Sequence, residues 1–182
     1  MKTAALAFGI VALAGHLASA GTYFGLALGP GIATSGDSSY TSSDRTGKLL
    51  VGYSIGQLAI EGSAMRGSLT QDGSFTGFDV TQLAVAGKYS FPLSDGFEAF
   101  GRLGYQRTSL TAQNSALNGQ VDSAGTGFLL AAGIEYRLKL IATQASIFVD
   151  YNFATSSLVN AQRATPESLQ TRGFSIGATV GF

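Results

Sequence analysis

The sequence predicts an all-β fold, an eight-stranded antiparallel up-and-down transmembrane β-barrel preceded by a cleaved signal peptide. Three observations carry this expectation. Segments of about ten residues alternate apolar with small or polar side chains, the period of a strand whose two faces meet different surroundings. The connections between them alternate between short and long, as they do when turns lie on one side of a membrane and loops on the other. Finally, charged residues make up only 12% of the chain while Gly accounts for 25 of 182 residues. Soluble domains run at about 25% charged and about 7% Gly.

The first element is not a strand. Met1 to Ala20 carries Lys2, an apolar run from Ala4 to Ala14, and the small-residue end Ala18-Ser19-Ala20. This is the three-part plan of a secretory signal peptide, and the apolar run is too short to cross ~30 Å of hydrocarbon as a helix. Cleavage is expected after Ala20, with export through the Sec pathway. Residues 21–182 then form one barrel domain.

The strands expected in order are Thr22 to Gly29, Gly47 to Ile55, Leu58 to Arg66, Phe78 to Phe91, Phe97 to Arg107, Thr126 to Leu138, Gln144 to Phe153 and Thr171 to Phe182. In each, one parity is apolar, as in Leu49, Val51, Tyr53 and Ile55, or Ile147, Val149, Tyr151 and Phe153. The other parity is Gly, Ala, Ser, Thr, Gln and a few charges. A soluble barrel would need that Gly- and Ala-rich face to meet water, so the apolar face is assigned to lipid and the small polar face to the interior. Gly56-Gln57, Pro92 to Gly96 and Lys139 to Thr143 are the short connections; Pro30 to Thr46, Gly67 to Gly77, Thr108 to Gly125 and Ala154 to Gln170 are the long ones.

The last nine residues, FSIGATVGF, put Phe174, Ile176, Ala178, Val180 and Phe182 on one face. This arrangement resembles the C-terminal assembly signal of bacterial outer-membrane barrels. Together with the strand count and loop asymmetry, residues 21–182 resemble the small OmpA/OmpX-like superfamily, including the opacity-type surface proteins. The resemblance implies the outer membrane of a Gram-negative cell, insertion by the barrel-assembly machinery, contact with outer-membrane lipid and lipopolysaccharide, and a monomer. There is no Trp, so the interfacial aromatic belt is expected from Tyr23, Tyr53, Tyr89, Phe91, Phe97, Tyr136 and Phe182 near the periplasm. Phe78, Tyr151, Phe153 and Phe174 are expected nearer the loops.

Chemistry-bearing motifs are sparse. There is no Cys, and the single His, His16, falls in the expected signal peptide, so an activated Ser or thiolate of the usual kind has no base or nucleophile. Thr46-Gly47-Lys48 has Leu49 where a phosphate loop needs Ser or Thr, and Asp72 to Asp79 offers too few oxygens at calcium-loop spacing. Acidic and basic residues balance at 11 each, which gives no reason to expect nucleic acid. No cofactor or metal is expected.

The informative charges are those on the inward parity: Lys48, Glu61, Lys88, Glu98, Arg102, Glu135, Arg137 and Asp150. An eight-stranded barrel is only wide enough for side chains to fill it, and an unpaired buried charge costs several kcal/mol. An interior network that plugs the lumen is therefore expected; if the gating pairs that the family resemblance implies exist here, Glu61 and Arg102 are the candidates nearest mid-depth. Acid-base work by Glu98 with Glu135 is the second reading of those carboxylates. The functional expectation is a non-enzymatic surface protein whose rigid barrel presents four outer loops for interaction or envelope integrity. The alternative is a narrow porin-like passive channel for ions or small solutes.

Overall fold

The computed structural model describes residues 21–29, 33–36, 40–42, 45–71, 77–112, 123–139, 144–160 and 163–182. The expected signal peptide and its cleavage point after Ala20 lie outside the described residues. The strands are β1 (Thr22–Gly29), β2 (Ala33–Gly36), β3 (Tyr40–Ser42), β4 (Thr46–Ile55), β5 (Leu58–Gln71), β6 (Gly77–Ser94), β7 (Phe97–Ala112), β8 (Ser123–Lys139), β9 (Gln144–Asn160) and β10 (Arg163–Gly181).

Eight of these are staves. β1 and β4 to β10 pair antiparallel with their neighbours, and β10 returns to β1 from Tyr23↔Gly181 to Leu28↔Ile176. Closure matters in lipid, where an open sheet edge would leave its N–H and C=O groups without partners. The last residue joins the seam, Phe182 N donating to Thr22 O at 2.9 Å. At one end of the barrel the turns are tight. Gly56 turns β4 into β5 at φ +63°, and Asp95 and Gly96 (φ 32° and 90°) turn β6 into β7. Positive φ at both central residues matches the right-handed twist of a hairpin.

The two parities face as expected over the lower staves. Leu26, Leu28, Leu49, Ile60, Leu103, Phe128, Ile134 and Ile176 point outward and are more than half exposed, while Lys48, Glu61, Gln82, Lys88 and Asp150 point inward and are buried. A band of that kind about 25 Å tall is what a bilayer core requires of a barrel.

The structure corrects the sequence reading in three places. Staves β5, β7, β9 and β10 run well into the expected loops, to Gln71, Ala112 and Asn160 and from Arg163, and two short strands occupy part of the expected first loop, β2 pairing with β10 and β3 with β5. The strands were read too short because their parity inverts there. Leu69, Val80, Leu110, Leu158 and Leu169 turn inward, and Ser68, Asp79, Ser109, Ser157 and Ser168 turn outward, so the apolar-out pattern stops before the strand does. Pro92, expected in a turn, sits inside β6 next to a register shift between Pro92 and Ser94; a bulge tolerates the missing N–H. Tyr23 and Phe78 do not join the aromatic belt. Tyr23 has the inward parity of β1 and bonds Glu61, and Phe78 is buried.

Candidate functional site in the barrel lumen

The lumen is filled in three layers. From the turn-side mouth upward come a chain of ion pairs, a neutral polar layer, and an apolar septum.

In the lowest layer the eight inward charges form one continuous chain in which signs alternate. Glu98 meets Arg137 at 2.7 Å, a charge contact off the hydrogen-bond direction. Arg137 donates from Nε to Glu135 at 3.1 Å, and Glu135 is bonded by Lys88, which also lies 3.9 Å from Glu61. Glu61 is bonded by Arg102 Nε and again by Nη2 at 3.4 Å. Arg102 Nη1 reaches Asp150 at 2.5 Å, and Asp150 meets Lys48 at 3.4 Å. Every charge between the two ends thus has opposite charges on both sides. That arrangement offsets the several kcal/mol each ion loses on leaving water. The end at the mouth is wetter, since the Arg137 side chain is 36% exposed and Lys48 at the far end only 7%.

Neutral groups complete the layer. Tyr23 Oη donates to Glu61. Asn152 donates to Asp150 at 2.7 Å and accepts from Lys48 at 3.1 Å, and Ser175 donates to Asp150. Phe100 lies under two cations, 4.5 Å from Lys88 Nζ and 4.3 Å from Arg102 Cζ, with Phe148 5.5 Å from Arg102. Such contacts contribute about 2 kcal/mol when desolvated.

Glycine makes room for these rings. A Cβ on Gly52 would fall 2.2 Å from Tyr23 Cζ, on Gly133 2.6 Å from Phe100 Cζ, and on Gly177 2.4 Å from Phe148 Cζ. The Gly-rich inward parity is therefore the complement of three interior aromatics that the sequence reading did not place inside. Parity was the available signal: Phe100 lies two residues before Arg102, and Phe148 two before Asp150.

Above the ions, Gln82 donates to Thr171 at 3.2 Å, Gln106 donates to Ser156 at 3.1 Å and to Thr108 at 3.2 Å, and the Thr108 and Ser156 hydroxyls are 2.8 Å apart. A cavity of about 40 Å³ is lined by Gln82, Gln106, Thr171, Lys48, Asn152 and Met65. That is room for a few waters at most. The top layer is the septum, Leu69, Val80, Leu110, Leu158 and Leu169, each 0–2% exposed and contributed by a different stave. The sequence pattern alone does not reveal it, because it assigns the apolar parity to the lipid face.

Outside, alternate residues of the last strand form one row. Phe174, Ile176, Val180 and Phe182 are all exposed, as is Ala178 between them. Aromatics pair at both rims: Tyr89 with Phe91 and Phe97 with Tyr136 on the turn side, Tyr105 with Phe128 and Tyr151 with Phe174 on the loop side. Among the described residues no group of three or more His, Cys, Asp or Glu could hold a metal.

Comparison with known proteins agrees with this geometry. Neisserial surface protein A superposes with a TM-score of 0.68 at 13% identity, covering 90% of this chain and 98% of that one. The outer membrane protein OprG from Pseudomonas aeruginosa superposes at 0.52 with 12% identity, covering 91% and 97%. At such identities the likeness concerns the fold alone. No curated protein sequence matches the chain. Residues 3–182 match the outer membrane protein beta-barrel domain, and with nearly the whole length matched, the chain belongs to that family of Gram-negative outer-membrane barrels.

Proposed function

We propose that this outer-membrane protein is a non-enzymatic surface protein, a rigid barrel with a closed lumen that presents its loop end to the outside. The observation that carries this reading is the apolar septum. Five buried aliphatic side chains lie across the lumen above the ion chain, and a hydrated ion crossing them would shed water against groups that return no hydrogen bond. Catalysis is not part of the reading, because the lumen's carboxylates are committed to ion pairs and Glu98 and Glu135 share Arg137. The partners it implies are outer-membrane lipid and lipopolysaccharide, the barrel-assembly machinery, and any ligand taken by the loops. It implies a monomer.

The second reading, a narrow passive channel for ions or small solutes, has one observation in its favour. Lys88 lies within reach of both Glu61 and Glu135, so partners could exchange without stranding a charge. Planar-bilayer recording separates the two. The closed reading expects almost no conductance from the refolded protein and discrete openings from Leu110→Ser combined with Leu158→Ser, which wets the septum. Large, steady conductance in the unmodified protein would overturn it and favour the channel.

A further inference from the structure

Among the described side chains four arginines stand outside the lumen, and the barrel brings them to one level. Arg45 immediately precedes β4, Arg66 lies on β5, Arg107 on β7 and Arg172 on β10, and all four are exposed on the outward parity. Each takes the same place on its stave, just beyond the end of the lipid-facing row. Arg107 is two residues past outward Tyr105, and Arg172 two past outward Phe174. Arg66 is two past Ala64, and Arg45 two past Gly47, with Leu49 next. The registers agree: Arg66 is opposite Gly47, Arg107 opposite Leu83, and Arg172 opposite Phe153. Once strand tilt is allowed for, the four guanidiniums form an arc along the loop-side rim from β10 past β1, β4, β5 and β6 to β7. With neighbouring strands about 4.8 Å apart, that arc spans roughly 25 Å.

At that height the solvent is neither lipid tail nor bulk water. It is the headgroup layer of the outer leaflet. Arg66 lies 3.5 Å from Asp79, and both side chains remain exposed. At the opposite rim the outward residues are Tyr53, Tyr89, Phe91, Phe97 and Tyr136, and among the described side chains no Lys or Arg points outward from a strand there. The asymmetry matches a membrane whose two leaflets differ in charge at the headgroup. All four are arginine, the side chain whose planar fork grips phosphate oxygens in pairs.

We propose that Arg45, Arg66, Arg107 and Arg172 form a binding arc for the phosphorylated headgroup of the outer-leaflet glycolipid. The glycolipid's acyl chains lie along the apolar staves below, and its phosphates sit on the arc. The assignment needs only the orientation of the barrel in the outer membrane and holds whether or not the lumen conducts.

The test is binding of purified bisphosphorylated lipid A to the refolded full chain in uncharged detergent micelles, followed by native mass spectrometry and by the shift in heat denaturation on unheated gels. The expected result is binding that weakens as salt rises, since the arc is exposed and screened. Replacing all four with Gln should weaken it at least about tenfold, each cation near a charged surface contributing appreciably, while single Arg→Gln changes give smaller, graded losses. Dephosphorylated lipid A should bind the unmodified protein no better than lipid A binds the fourfold variant. Gel mobility of the unheated variant reports that it is folded; should the fourfold variant not fold, the graded single changes decide. Equal binding by the folded variant, or equal binding of dephosphorylated lipid A, would overturn the proposal. So would phosphatidylglycerol binding as tightly as lipid A, which would show generic attraction to anionic lipid, or a soluble polyanion such as heparin displacing lipid A outright, which would point to an extracellular ligand.

Discussion

Replacing Arg102 with Ala removes the central link of the ion chain. Its guanidinium serves Glu61 and Asp150 at once and rests on Phe100 and Phe148. Breaking a buried pair by deleting one partner costs about 3–5 kcal/mol, and the lost ring contacts add about 1–2 kcal/mol. Two effects pull the other way. Glu61 keeps Tyr23 and can lean toward Lys88, now 3.9 Å away, and Asp150 keeps Lys48, Asn152 and Ser175. Water can also enter the vacated space. The expected loss is therefore near the pair term alone, about 3–5 kcal/mol, measured by urea unfolding from short-chain lipid bilayers and by an earlier shift to the unfolded band on heating. Adding Glu61→Gln to Arg102→Met removes the stranded carboxylate while leaving Lys88 with Glu135 and Asp150 with Lys48, and should restore at least half of that loss, because a neutral buried replacement avoids the desolvation penalty. Conductance should stay low in Arg102→Ala, since the septum is untouched. A loss below about 1 kcal/mol, the range of an exposed pair, would refute the buried chain. Large conductance in this variant would move the barrier from the septum to the ions.

The interior rings make the glycines beside them exacting. Gly133→Ala and Gly177→Ala each press a methyl against both a ring and a backbone carbonyl, Val149 O at 2.3 Å and Leu26 O at 2.5 Å, so each should destabilise by about 1–3 kcal/mol as overpacking does. Gly47→Ala, where a Cβ meets nothing within 4 Å, should be nearly neutral in the same unfolding assay, and equal effects at all three would refute the packing argument. At the C-terminus, deleting Phe182 or replacing it with Asp should slow insertion far more than Thr179→Asp, because Phe182 is exposed at the lipid face and bonds the seam while Thr179 points inward to Ser146. Insertion rates into vesicles measure this, and equal rates would contradict the outward assignment.

How much of this was legible in the sequence depended on which solvent each stretch meets. Along the lipid-facing rows the apolar parity is strict, so the staves and their facing could be read from Leu49, Val51, Tyr53 and Ile55 or from Ile147, Val149, Tyr151 and Phe153. Beyond the arginines the outside is water, and the same strands turn apolar side chains inward, as at Leu69, Val80, Leu110, Leu158 and Leu169. A period-two pattern survives there with its phase shifted by one residue. A search for one apolar parity per strand ends at that shift and assigns the remainder to loops. Tyr23, Phe100 and Phe148 escaped for the opposite reason: they are apolar bodies on the polar parity, admitted only because Gly52, Gly133 and Gly177 stand across from them.

The eight interior charges could be named from parity, but their partners could not, and the reason bears on how the barrel chooses its shape. The pairing rule for neighbouring strands disfavours like charges directly opposite each other, yet Lys88 is opposite Arg102 and Glu98 is opposite Glu135. In an open sheet these pairs would repel. In the closed barrel Arg102 on β7 reaches Glu61 on β5 and Asp150 on β9, and Lys88 on β6 reaches Glu135 on β8, each contact skipping a stave and crossing the lumen. An interior only wide enough to be filled by side chains puts such groups within bonding distance once the ring is complete. Neutralising the charges and closing the barrel are thus one event. The like-charged neighbours act against a flat or partly closed sheet, and the alternating chain they form across the lumen stabilises the single geometry in which every interior ion has a partner.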